Sequence, residues 1–331
     1  MMKLSTMLKV DSTVDTQWQS RIAEHILEQW EHDLGSAQFF RSSTNFVYIF
    51  RKGGERCFLR FAESTERTGA AIEAEMAFLG FLDSLGMRVS TPIASNNGRC
   101  METVEADLGT FHAVVFAQLQ GSQLEIEELS IAQFEVWGAT LGRLHATTHM
   151  YQDPRVSARD TWRDHLTQAQ LYLPKDEPRV QAEFDHLTSF LASLPVTETN
   201  YGLIHGDFEL DNLFWQDETL AMLDFDDCSY SWYVVDVACA LRDLFKTGVD
   251  LSHPSFRAFI RGYCEHYCLD EELISHLPTF MRSVNLIQYA KLVRAMDLAQ
   301  DQDYPEGYTR LLLKLENVIQ NYKASLLSTL V

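Results

Sequence analysis

The chain has 331 residues, 27 of them basic and 47 acidic, for a formal net charge of −20; 46% are hydrophobic and 11% aromatic. That length suits one large domain or two lobes with a sizeable core. The acidic balance disfavours wrapping a nucleic acid, a polyanion it would repel, and is compatible with cationic small molecules. No run approaches the roughly 18 apolar residues of a membrane span, and Met1–Thr13 lacks the apolar centre of a signal peptide, so the expectation is a cytoplasmic protein with no membrane partner.

A first helix is expected over 16–33. "FFRSSTNFVYIFRKGGERCFLRF" (39–61) is rich in aromatic and β-branched residues and broken by Gly53-Gly54, which predicts a hairpin. The Ala- and Glu-rich stretch 64–86 predicts a helix that Gly86 can cap. "VSTPIAS", an Asn97-Gly98 turn and "FHAVVFAQL" (111–119) continue the strand pattern. Beyond Gln120-Gly121 the periodicity turns helical: 131–151, 161–173, 181–194, 256–268, 279–300 and 309–327, interrupted by short β-runs at 201–205, 212–215 and 220–225. The division expected is a small sheet-plus-helix lobe over 1–119 and a mostly helical lobe over 120–331.

Six cysteines form no C-x-x-C pair, and Cys264-x-x-x-Cys268 with His266 has no second ligand pair at zinc spacing. Free thiols in a reducing compartment are the expectation.

From Tyr201 to Leu241 there are nine acids and no Lys or Arg. Solvated acidic surfaces normally intersperse bases. Here the acids follow short apolar runs, "GLIHGD" and "LAMLDFDD", so that carboxylates at strand ends face a shared crevice. Such a span calls for a cation, and an oxygen-only donor set suits Mg²⁺ shared with phosphates.

H-G-D-x-x-x-x-N at 205–212 followed by D-F-D-D at 224–227 resembles the aminoglycoside phosphotransferase and choline kinase group, with its α+β, bilobal, protein-kinase-like fold. "FVYIF…RCFLRF", "EAEMAFLGFLDSLGMRVSTPI", "GATLGRLHA" and "DFDDCSYSWYVVDVACAL" follow in the family's order over roughly 38 to 245. The resemblance implies an ATP-dependent phosphotransferase acting on a hydroxyl of a small molecule, such as an amino alcohol, amino acid or aminoglycoside-like compound, with ATP and Mg²⁺ as cofactors. It makes Asp207 the catalytic base and Asn212 and Asp224 the metal ligands, a spacing that fits phosphoryl transfer. His205 supports the loop, Gly206 lets it turn, and Asp236 accepts its backbone N–H groups or simply caps a helix. Arg60 falls where protein kinases have Lys; it keeps the charge and forks onto phosphate. Its partner is Glu75 or Glu73. The chain has no G-x-G, so Ser42, Ser43 and neighbouring N–H groups stand in for the glycine-rich loop. The hinge falls on Phe116-Ala117-Gln118-Leu119, with Gln118 among the nucleotide-contacting positions. Tyr230, Trp232 and Tyr233 are either an aromatic wall for a cationic amine or core packing.

Two alternatives stay open at this point. A protein Ser/Thr kinase would need an activation loop and A-P-E segment, and only about a dozen residues separate Asp224 from Asp236. A silent nucleotide-binding protein would be expected to lack one of Asp207, Asn212 and Asp224.

Overall fold

The computed structural model describes residues 1–246, 248–299 and 302–327. The chain divides into two compact units. One comprises Met1–Gly80, Ser90–Gln118 and Lys291–Gln320; the other Phe81–Val89, Leu119–Ala290 and Asn321–Val331.

The first unit begins with α1 (Leu4–Asp11) and α2 (Arg21–Leu27). Only α2 falls within the helix expected over 16–33, which is shortened at both ends, and α1 lies ahead of it, where no helix was expected. Asp15 Oδ1 accepts the backbone N–H groups of Gln17 and Gln19, and Trp18 has φ 63, so a turn occupies the start of the expected helix. The helix starts only at Arg21, where the Ser20 side chain accepts from Ile22 N.

A six-stranded antiparallel sheet follows, from β1 (Gln38–Ser42), β2 (Phe46–Lys52), β3 (Glu55–Glu63), β4 (Pro92–Ile93), β5 (Met101–Ala106) and β6 (Gly109–Ala117). Its order is β1-β2-β3-β6-β4, with β5 also paired to β6. Gly53 and Gly54 both take positive φ and join β2 to β3, closing on Lys52 opposite Glu55. In β2 the buried side chains are Phe46, Tyr48 and Phe50, the period of two that a half-buried strand demands. Helix α3 (Gly69–Ser84) starts five residues later than expected, and the chain turns out of it at Gly86, φ 70, as expected.

The expected lobes, 1–119 and 120–331, are continuous, whereas these units interleave. The reason lies in the first unit's core. Leu315 is buried there with Met2, Leu4, Trp30 and Phe61, and Leu292, Met296 and Tyr308 pack against that cluster. The apolar stripe of this C-terminal segment therefore belongs to the sheet-bearing unit.

The second unit contains α4 (Ile131–Thr148), α5 (Trp162–Tyr172), α6 (Pro178–Ser193), β7 (Tyr201–Ile204), β8 (Leu213–Gln216), β9 (Thr219–Met222), β10 (Ser229–Trp232), α7 (Tyr233–Ala240), α8 (Pro254–Cys264) and α9 (Glu271–Ser275). Helices α10 (Leu277–Ala295) and α11 (Glu306–Leu327) each cross the division between units. The run expected to be helical over 279–300 ends at Ala295, and Gln300 lies outside the described residues.

Helices α4 and α8 meet backbone to backbone. A Cβ at Gly138 would lie 1.8 Å from Phe259 O, and one at Gly142 would lie 2.3 Å from Tyr263 O. His145, on the turn of α4 that follows Gly142, is fully inside the unit. Trp232 and Tyr233, read as wall or core, are core: Trp232 packs on Trp162 and Tyr201, and its Nε1 donates to Pro195 O. Tyr233 stacks on His145. Of the three aromatics only Tyr230 is partly exposed.

Candidate active site

In the second unit, antiparallel pairing of β7 with β10 sets Ile204 opposite Ser229. The loop leaving β7 at His205 therefore lies beside the segment entering β10 from Asp224. The β8–β9 hairpin supplies the chain between them.

Gly206 is the point of contact. It has φ 81, and a Cβ there would lie 2.3 Å from Asp227 O. Only glycine satisfies both the backbone angle and the approach. Asp236, fully buried at the start of α7, accepts His205 N and Gly206 N, each at 2.7 Å. It also accepts from His145 Nε2 at 3.0 Å, while Tyr263 Oη, at 2.7 Å, donates to His145 Nδ1. Three N–H donors on one buried carboxylate is the compensation that burying a charge requires. Burial holds the His145 imidazole below its ordinary pKa, against the pull of Asp236. A neutral ring with its proton on Nε2 satisfies both contacts.

His205 has the loop-supporting geometry expected of it. Its Nδ1 accepts Asp207 N at 3.3 Å, and its Nε2 donates to Leu223 O at 3.2 Å. Asn212 ties the loop shut. Its Nδ2 donates to Asp207 O at 2.9 Å and to Asp207 Oδ2 at 2.8 Å. The main-chain oxygen can only accept, so the amide nitrogen must occupy that side and Oδ1 faces away. Asn212 O accepts Leu223 N at 3.0 Å, which brings Leu223, and hence Asp224, beside the loop.

Asp224 sits in the left-handed region, φ 64 and ψ 61, a conformation Asp tolerates better than most residues. Its neighbours Asp226 and Asp227 follow in a short helical turn. Burial, then the charge of Asp227, pushes the Asp207 carboxyl above the ordinary carboxylate range. Burial likewise pushes Glu209 up to about 8, against the Arg242 guanidinium that contacts it. Anionic groups that resist ionising together are stabilised by a divalent cation.

The base-free acidic span is thus served by arginines from outside it. Arg242 lies one residue past its end, and Arg159 reaches in from before α5, with Nε and Nη2 on the carbonyls of Cys228, Phe225 and Asp226. Spacing alone could not reveal Arg159, 69 residues from Cys228 in sequence. His145 stood in the quoted "GATLGRLHA" but carried no separate signal. Among the described residues no three His, Cys, Asp or Glu side chains are grouped to hold a metal alone, Cys264, His266 and Cys268 included. Mg²⁺ needs no such cage, since one or two protein oxygens plus phosphates and water suffice. Asn212 Oδ1 and the Asp224 carboxylate fit that requirement.

The first unit carries the other candidate residues. Arg60 on β3 is 8% exposed, and its Nη2 donates to Glu75 Oε1 on α3 at 2.7 Å. Glu75 rather than Glu73 is therefore the partner. Arg67, not anticipated, donates to Glu75 Oε2 at 3.3 Å. The Arg60 guanidinium also lies over the Phe116 ring, 5.0 Å from its centroid. Ser42 differs from expectation: its hydroxyl donates to Asp11 Oδ2 at 2.9 Å, in the cluster that Tyr308 Oη completes. Ser43 is exposed, with its backbone N–H on Asn45 O. Gln118 is exposed just past β6.

These features define a phosphotransferase, and the chain belongs to the Phosphotransferase enzyme family, whose pattern matches residues 36–277. It is an ATP-dependent small-molecule kinase acting on a hydroxyl group, with a divalent metal as cofactor. The chain is 26% identical over 271 residues to the amicoumacin kinase of Bacillus subtilis strain 168, covering 79% of this chain and 81% of that one. Among solved structures it is similar to an amicoumacin kinase in complex with AMP-PNP, Ca²⁺ and Ami (TM-score 0.78, 24% identity, 97% and 96% of the chains covered). It is also similar to a microcompartment-associated aminopropanol kinase (TM-score 0.70, 22% identity, 93% and 97% covered). A spectinomycin phosphotransferase in complex with ADP and spectinomycin is a third (TM-score 0.62, 13% identity, 93% and 98% covered). These likenesses establish the protein-kinase-like fold. Among the described residues no helix is long and apolar enough to cross a membrane.

Proposed function

We propose that the acceptor is an amine-bearing alcohol, an amino alcohol or an amine-containing natural product, and that Asp207 takes the proton of its hydroxyl. The observation that carries this is the Asp207–Asn212 pair. The amide holds Asp207 in place and turns its own oxygen away, which separates a base from a metal ligand within one loop. Asn212 and Asp224 hold Mg²⁺, which, when bound, neutralises charge on the nucleotide phosphates. Arg60, oriented by Glu75, meets the phosphates of ATP; Ser43 and Gln118 are further nucleotide contacts, whereas Ser42 serves through Asp11.

A cationic acceptor is supported by the carboxylates of Asp207, Asp226 and Asp227 on adjoining segments, with the net charge of −20 drawing cations toward the protein. Relatives named for aminopropanol, amicoumacin and spectinomycin support the same class. Six free cysteines fit a cytoplasmic location, and the acidic charge argues against a nucleic-acid partner.

A coupled assay of ADP release with Mg-ATP, run across amino alcohols, aminoglycosides, neutral sugars and a generic protein substrate, tests the reading. Turnover should appear on amine-bearing alcohols. Turnover confined to neutral sugars or to protein would overturn it.

A further inference from the structure

We propose that Arg159 is a positioning residue for the metal site, a clamp on the turn that presents Asp224. The inference rests on the reading of Asp224 as a metal ligand. Arg159 is 8% exposed and spans three carbonyls of the turn: Nε donates to Cys228 O at 2.7 Å, and Nη2 to Phe225 O at 2.8 Å and Asp226 O at 3.0 Å.

Three carbonyls pointing at one place would repel one another, and the same stretch holds Asp224, Asp226 and Asp227. A guanidinium answers both demands. It brings a permanent charge and several N–H donors in one plane, whereas an ammonium presents a compact point charge. The donors are charge-assisted, so each bond is stronger than its neutral counterpart.

The base of the arm is fixed as well. Arg159 N donates to Val156 O at 3.0 Å, Asp160 O accepts Tyr230 N at 2.8 Å, and Thr161 bridges to Tyr230. The segment that carries Arg159 is thereby laced to β10, which leaves the turn it clamps.

Asp224 is then held from both sides. On its N-terminal side Leu223 is tied by Asn212 O and His205 Nε2. On its C-terminal side Arg159 ties Phe225, Asp226 and Cys228. Between these ties the left-handed backbone of Asp224 has little freedom to relax, which limits the directions its carboxylate can take. Residues that orient a metal ligand in this way typically change metal affinity by about 10- to 100-fold when lost.

The test is direct Mn²⁺ binding in the presence of ADP, followed by electron paramagnetic resonance or calorimetry, on the wild type, Arg159→Met and Arg159→Lys, with thermal unfolding of each. Wild-type binding that depends on Asp224 is the control for the underlying reading; its absence would overturn that reading rather than the clamp. Given that control, Arg159→Met should weaken Mn²⁺ by about tenfold or more. Arg159→Lys, which keeps charge but not the fork, should be intermediate, and added guanidinium should partly restore the Met variant. If Met does not fold, the Lys variant decides alone. Folded variants that bind Mn²⁺ as tightly as the wild type would overturn the proposal.

Discussion

Asn212 turns its amide nitrogen onto Asp207, 2.8 Å from Oδ2 and 2.9 Å from the main-chain oxygen. One side chain thus restrains the aspartate and aims its own oxygen elsewhere. Replacing it separates the two effects. Asn212→Asp would set a second carboxylate against Asp207 and remove the donor, so ATP turnover should collapse. Asn212→Ala should lose both metal affinity and turnover. Calorimetry of Mg-ATP binding alongside steady-state rates reads the difference; an alanine variant that binds Mg-ATP normally would contradict the ligand assignment.

Asp224→Ala should abolish metal-dependent nucleotide binding. In the wild type, EDTA should have the same effect as the substitution. Equal ATP affinity with and without metal, measured by calorimetry, would show that the carboxylate serves another purpose.

Glu75 accepts from two arginines while 1% exposed. Glu75→Gln keeps the shape and removes the charge both guanidiniums face. Breaking a buried pair by removing one partner costs about 3–5 kcal/mol. Urea unfolding should show a loss of that order, with a raised KM for ATP. A loss within measurement error would contradict a buried Glu75 whose charge both guanidiniums need.

The buried His145 predicts a pH dependence. Its folded pKa lies below the unfolded value, about 6.5. As pH falls below about 6.5 the unfolded chain takes up this proton first, so stability present above that pH is lost on acidification, by up to about 1.4 kcal/mol per pH unit. Chemical unfolding between about pH 5 and 8 should show a steeper acid slope for the wild type than for His145→Gln. Identical slopes would contradict a neutral, buried imidazole.

Gly206→Ala should fold poorly or turn over slowly, because its Cβ would meet Asp227 O at 2.3 Å with φ 81. A fully active, stable alanine variant would mean the two loops can separate freely.

Much of this was legible in sequence because the signals were local. The hairpin glycines, the aromatic and β-branched content of 39–61 and the family's H-G-D-x-x-x-x-N and D-F-D-D motifs each fall within a short window. What escaped was long-range or short of period. Helix α1 has only eight residues, and β5 is six residues that mix acids with apolar side chains. The late start of the helix expected at 16 turned on an aspartate bonding its neighbours' backbone, a competition periodicity does not report. Arg159, Arg67 and His145 act through partners that only folding brings near. Ser42 looked available for phosphate because Asp11 and Tyr308 lie far from it in sequence.

Whether Asp207 serves as the base in phosphoryl transfer is tested most directly by the turnover of Asp207→Asn on the identified acceptor. The substitution keeps the side chain's shape and one acceptor oxygen for Asn212, but it cannot take a proton at neutral pH. The prediction is a fall in kcat of about 10²- to 10⁴-fold with Mg-ATP affinity unchanged. A variant that keeps near-wild-type kcat on that acceptor would show Asp207 to be structural and contradict the claim.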